Sequence, residues 1–119
     1  MSDVRLTTDV VGITSALSKV NQIRGVEHKW SSVATDNCGI GNSTNKRFAV
    51  ISDEIESIIP EAIISNRYLG SDGTKYKDIA YSTLIPILIE AIKDLKKEND
   101  DLKTLIKNSS SFASLKSSL

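Results

Sequence analysis

"STLIPILIEAIKDLKKENDDLKTLIK", residues 82–107, decides how the rest of the chain is read. Ile85, Leu88, Ile92, Leu95, Asn99, Leu102 and Ile106 follow one another in alternating steps of three and four. That spacing puts them on one face of a helix and makes an a/d seam of about three heptads. It predicts a helix from about Thr83 to Lys107, opened by Ser82, with Pro86 in a first turn where its missing amide had no helical partner. Over the first half, a stripe packed on the chain's own core and a seam between chains satisfy the pattern equally. Beyond Leu95 the surroundings, "KKENDDLKTLIKN", are too polar to be wrapped by a domain, so there the seam reads as interchain. Asn99 falls at an a position, where a buried amide selects register and oligomer state at some cost in stability. Glu98 at g stands five residues before Lys103 at e, the spacing of an interchain ion pair. If the helix stops near Lys97, Asn99 carries no such meaning.

Upstream, the elements are short. Ile13, Ala16, Leu17, Val20 and Ile23 recur at helical spacing, and Gly25 follows as a C-terminal cap. "VEHKW" (26–30) alternates Val26, His28 and Trp30 against Glu27 and Lys29, a strand pattern. Residues 31–45 are rich in Ser, Thr, Asn, Asp and Gly and read as a loop, followed by a buried strand at "RFAVIS" (47–52). Ser52 reads as the cap of a short helix that Pro60 ends, "EAIIS" (61–65) as a strand, and "GSDGTKYKDIAY" (70–81) as a turn and a strand. The low-complexity "NSSSFASLKSSL" reads as a frayed tail. The fold class is therefore α+β.

Composition narrows the function. At 119 residues the chain makes one domain with one core, and its six aromatics make that core modest, which leaves room for an oligomer. Fifteen basic against fifteen acidic residues, without long blocks of one sign, give no electrostatic footprint for nucleic acid. Cys38 is the single cysteine, so there is no internal disulfide, and no Cys/His cluster suggests a metal or other cofactor. No apolar run is long enough for a membrane span and no signal peptide is recognisable, so the chain is expected in the cytosol when made. Asn42-Ser43-Thr44 and Asn108-Ser109-Ser110 fit the glycosylation pattern but read as polar loop and tail.

Few residues offer chemistry. "CGIG" (38–41) lacks the third glycine of a dinucleotide loop and leads into "NSTNK", not a helix. His28 has no Ser or Cys partner near it in sequence and reads as packing. Asp53, Glu54 and Glu56 fit a first helical turn, where acids complement the dipole. "SDVRLTTDV" (2–10) presents Ser2, Asp3 and Arg5, and taken alone it is an unspecific loop.

The order and spacing of four motifs change that. Ser2-Asp3-x-Arg5-Leu6 with Asp9-Val10, then "VNQIRGVEHKW", "FAVISDEIESIIPEAI" and "KYKDIAYSTLIPILIEAIKDLK" resemble the C-terminal intramolecular chaperone, auto-processing domain of bacteriophage endosialidases, tail fibres and tailspikes. The resemblance spans residues 2 to about 97. It implies short helices and a small β-sheet region, with a long C-terminal helix forming a trimeric coiled coil through Leu88, Ile92, Leu95, Asn99, Leu102 and Ile106. The division it implies is a chaperone domain over 1–97, a coiled-coil extension over 98–108 and a flexible tail over 109–119.

The implied partners are two further copies and an upstream fibre or spike stem, met in the host cytoplasm during virion assembly. The domain stays on the fibre only if uncut. In the family the cut falls before the motif serine, here Ser2, which makes Met1-Ser2 the matching bond. The family's general base is a lysine five residues on, and this chain has Thr7 there. Threonine has no usable basicity, whereas a lysine serves once its pKa is lowered towards about 7 to 8. Either the domain does not cleave, or Lys19, Lys29, Lys46 or His28 replaces the base. Asp3 and Arg5 match the motif as supporting residues, orienting the serine or binding the entering stem; the plainer readings are a surface ion pair, or Asp3 as the cap of a turn. A permanent coiled-coil adaptor is the reading that the heptads alone would support.

Overall fold

The computed structural model describes residues 2–41 and 44–119. Met1, Asn42 and Ser43 lie outside the described residues, and with them the Met1-Ser2 bond and the first glycosylation pattern. The fold is α+β, in the order α1 (Ala16–Val20), β1 (Val26–His28), α2 (Ser32–Asn37), β2 (Arg47–Ala49), α3 (Ser52–Glu56), β3 (Ile63–Leu69), β4 (Lys75–Ile79), α4 (Tyr81–Asn108) and α5 (Phe112–Ser118). Two 3-10 turns, Val4–Leu6 and Pro60–Ala62, complete it. The strands form two separate antiparallel pairs, β1 with β2 and β3 with β4. Val26 faces Ala49 in the first, and Ile63 faces Ile79 in the second, which is irregular between Ile64 and Tyr68.

The core is small and aliphatic. Ala16, Ile55, Ile59, Ala62, Ile79, Leu84, Ile87 and Ala91 are buried, with Leu17, Val20 and Ile23 packed against them. Leu84, Ile87 and Ala91 follow at three and four residues, so the proximal part of α4 lays one stripe on the domain. Two small residues, Ala16 and Ala91, are almost fully buried where α1 and α4 belong to this core. Asp94 of α4 accepts a hydrogen bond from the Leu17 amide at 3.3 Å. It thereby occupies the first turn of α1, whose own Ser15 offers no side-chain cap.

Several boundaries differ from the sequence pattern for physical reasons. The first helix is reduced to five residues, ending at Val20 with Asn21 rather than Gly25 as its cap, and the chain beyond it turns through Gln22 and Ile23 amides on Lys19 and Val20 carbonyls. The polar stretch expected as loop holds α2, started by Ser31, whose hydroxyl accepts from the Ala34 amide. Ser52 is the first helical residue of α3 and Ile51 is its cap, so the expected serine cap is absent. Pro60 opens a 3-10 turn and β3 starts only at Ile63. Tyr81 begins α4 instead of ending a strand, which moves Pro86 from the first turn to the second and removes one helical hydrogen bond there. Residues read as frayed tail hold α5, capped by the Ser111 hydroxyl on the Ser114 amide at 3.1 Å.

Asn37, at the end of α2, ties α2 to the β3–β4 turn. Its side-chain oxygen accepts from the Ser71 hydroxyl and the Asp72 amide, and its amide donates to Asp72 Oδ1 and to the Tyr76 hydroxyl. Gly41 marks a second close approach, since a Cβ there would stand 1.9 Å from Trp30 Cδ1 and its φ is +66°.

Ile55 is the largest fully buried side chain. Ile55→Ala is expected to destabilise the fold by about 2–5 kcal/mol in urea unfolding, through lost transfer energy and the cavity left behind.

Candidate functional site

The motif residues sit on an arm that stands off the domain. Residues 2–14 are exposed throughout, and the backbone hydrogen bonds of the 3-10 turn are local ones, from the Leu6 amide to the Asp3 carbonyl and from the Thr7 amide to the Val4 carbonyl. Asp3 builds this turn. One carboxylate oxygen accepts from the Arg5 amide at 2.9 Å and from Arg5 Nε at 3.0 Å, and the other accepts from the guanidinium at 2.8 Å. That fork is a two-point match of planar groups. Its hydrogen bonds hold the Asp3 carboxyl below the ordinary carboxylate value and raise Arg5 above its own. Both side chains are exposed, so the pair contributes little to stability and serves mainly to shape the turn.

Thr7 closes the same turn. Its hydroxyl donates to the Val4 carbonyl at 3.0 Å. The position that holds a lysine in the motif thus holds a short side chain engaged with the arm's own backbone. Ser2 makes no hydrogen bond among the described residues. The four alternative bases belong to the domain. His28 lies in β1, with its ring 4.9 Å from that of Trp30 in an edge-on contact, and Lys46 faces Glu27 at 4.0 Å. Lys19 is in α1 and Lys29 follows β1. None of them is hydrogen-bonded to Ser2 among the described residues. The arm also carries Val4, Leu6, Val10 and Val11, each more than two-thirds exposed.

The carboxylates of α3 have partners of their own. Glu54 receives a two-point contact from Arg24, at 3.1 and 2.8 Å, which lowers its pKa below the ordinary glutamate value. Lys77 of β4 reaches both Glu56 and Asp53, which raise its pKa. α3 is thereby clamped between the segment after α1 and β4. Between the strand pairs lies a cleft of about 620 Å³ lined by Trp30, Tyr68, Tyr76 and Tyr81 among others, and the Tyr81 hydroxyl accepts from the Val50 amide at 3.3 Å. Asn37, which organises one side of that region, was not legible as a site residue, because its importance comes from contacts with residues 71 to 76.

The seam positions share a second face of α4. Ile85, Leu88, Ile92, Leu95, Leu102 and Ile106 are between 42 and 67% exposed, and Asn99 is exposed beside them. They are distinct from Leu84, Ile87 and Ala91, which the domain buries. Along the distal part, Lys96 pairs with Asp100 and Lys97 with Asp101, each four residues apart on one helix. Glu98 and Lys103 do not form a bridge within the chain among the described residues.

Fold and site together define a small α+β domain with a serine-bearing arm and an uncovered helical face. The family described as chaperone of endosialidase matches residues 2–64, and the chain belongs to that family. It is also similar to the long tail fiber protein Gp37 of Enterobacteria phage K3, 24% identical over 103 residues that make up 87% of this chain and 8% of that protein. The Gp37 long tail fiber protein of Enterobacteria phage T2 is likewise 24% identical over 103 residues, covering 87% of this chain and 7% of the relative. The chain therefore spans less than a tenth of the length of these relatives.

Asp3 is expected to titrate below 3.8 in an NMR pH titration, and Arg5→Gln to return its midpoint towards that value. The sign follows from a folded pKa below the unfolded one. The clamp is complete above the unfolded value and is lost as pH falls through the folded one.

Proposed function

We propose that this chain is the assembly chaperone of a phage tail fibre or tailspike, that three copies join through the outward face of α4, and that it does not cleave itself. The observation that carries the proposal is surface. The chain exposes 9108 Å², whereas a folded monomer of 13.0 kDa exposes about 6,300 Å². Its radius of gyration is 20.8 Å, against about 14 Å for a compact chain of this length. The excess of roughly 2,800 Å² per copy is in the range of obligate interfaces. The seam residues of α4 and the apolar residues of the arm are among the large hydrophobic side chains left exposed.

Such a trimer helps a fibre fold for entropic reasons. Winding three stems together requires non-local pairings whose loop-closure and association costs come before any contact forms. Tethering the three chain ends makes that search intramolecular, at an effective concentration of about the millimolar range for short linkers. Register is then fixed at the chaperone and propagates into the stem. In a family member that cuts, release leaves a stem that cannot easily unwind and rewind, a kinetic trap.

The retained Ser2 without the lysine supports the non-cleaving part. A serine hydroxyl needs an unprotonated base within hydrogen-bond reach. Thr7 cannot accept its proton at neutral pH, and its own hydroxyl is committed to the Val4 carbonyl.

The test is a fusion of residues 2–119 behind a stem segment of a trimeric fibre, compared with the stem alone. The fusion is expected to be a soluble, protease-resistant and uncut trimer. Thr7→Lys is expected to restore a cut before Ser2, and adding Ser2→Ala to remove it. A cut in the unaltered fusion that Ser2→Ala abolishes would show a competent site with a different base. No gain in stem folding would leave only a coiled-coil adaptor.

A further inference from the structure

The outward face of α4 changes character along its length. In its distal part the seam is flanked mainly by charge. Leu95 and Leu102 occupy d, Asn99 and Ile106 occupy a, Lys96 and Lys103 hold e and Glu98 holds g, while Leu105 at the last g is half-buried. Isoleucine at a with leucine at d is the combination that favours two strands in parallel coils, and a polar a residue pins register. The distal seam therefore cannot by itself be the source of a count of three.

The proximal part is wider. Ile85, Leu88 and Ile92 continue the seam, and Ile89, at an e position, adds a fourth apolar side chain that is 50% exposed. At about 100° per residue, Ile89 sits roughly 40° past Ile85, on the flank away from Leu84, Ile87 and Ala91. The domain's own core borders the seam on one side and Ile89 borders it on the other. An apolar arc of a, d and e positions is the face of a helix that meets more than one neighbour, whereas a strict a/d stripe is the narrower seam of a coiled coil.

We infer that Ile89 determines the number of copies: it supplies the apolar flank onto which the third chain's helix packs, while the distal residues Leu95 to Ile106 fix register and direction. This rests on the reading that copies join through α4. The physical reason is geometric. In a two-stranded coil an e side chain lies at the rim and stays wet, and Ile89 would remain as exposed as it is in the single chain. A third helix in the groove between two others covers that rim, so burial of Ile89 is available only when three are present.

The test uses the full 119-residue chain in sedimentation equilibrium. The unaltered chain is expected at three times its 13.0 kDa mass. Ile89→Gln and Ile89→Ala are expected to sediment as two copies with helical circular dichroism retained, because Ile89 is no part of the buried core and both replacements are good helix formers. Ile89→Leu is expected to keep three. Asn99→Ile is expected to keep three and to melt at a higher temperature, since it removes the polar layer without touching the flank. Three copies persisting in both Ile89→Gln and Ile89→Ala, or dissociation of these variants straight to single chains, would overturn the inference and leave the proposed chaperone intact. An unaltered chain that is not trimeric would instead overturn the chaperone reading itself.

Discussion

The constraint on which the structure depends is that one helix, α4, is apolar on two faces while its own domain has material for only one. Leu84, Ile87 and Ala91 anchor it in a core shared with α1, α3, the Pro60–Ala62 turn and the β3–β4 pair. The seam beside them stays exposed in the chain. Burying an aliphatic side chain is worth about 1.5–3 kcal/mol, so a row of half-exposed Ile and Leu side chains leaves substantial free energy unrealised in the single protomer. α4 is tied to the domain by Asp94 on the first turn of α1 and by the Tyr81 hydroxyl on the Val50 amide just after β2, while the acids of α3 pair with Arg24 and Lys77.

The arm and the domain have separate jobs on this view. The arm is locally ordered by Asp3 and Arg5 and carries Ser2, but it draws no support from the core. The domain, in turn, has its histidine against Trp30, its α3 carboxylates in ion pairs, and Trp30, Tyr68, Tyr76 and Tyr81 grouped about one cleft. Its polar groups are spent on holding short elements together, because elements of three to seven residues have little cooperative stability of their own.

How much of this was legible in the sequence follows from the same contrast. α4 and its outward face were, because a period of 3.5 repeated over many residues is a strong signal, and the α+β class followed from short alternating and helical runs upstream. The motif around Ser2 was legible as a pattern. Its separation from the domain was not, since exposure of Val4 and Val11 runs against their hydrophobicity. α2 was missed because "SSVATDNCGI" has no apolar stripe; its stability comes from the Ser31 cap and from the grip of Asn37 on a turn more than thirty residues away. Pro86 was placed one turn too early because the cap expected at Ser82 lies at Ala80, where no side chain marks it. The proximal half of α4 stays open between core and seam in the sequence, and the structure divides it: Leu84, Ile87 and Ala91 are buried by the domain, and the row Ile85, Leu88 and Ile92 is left exposed.

The hydrogen bond from Leu17 to Asp94 joins groups 77 residues apart. At the roughly 5–20 residues per second of chain synthesis, α1 waits about 4–15 seconds after it is made for the side chain that completes its first turn. During that interval the early segments have neither lid nor anchor, and native packing around Ala16 is withheld until the last long helix is out. The clock of this domain is thus set by its last long helix: closure of the protomer's own interior becomes available only once residue 94 has been made.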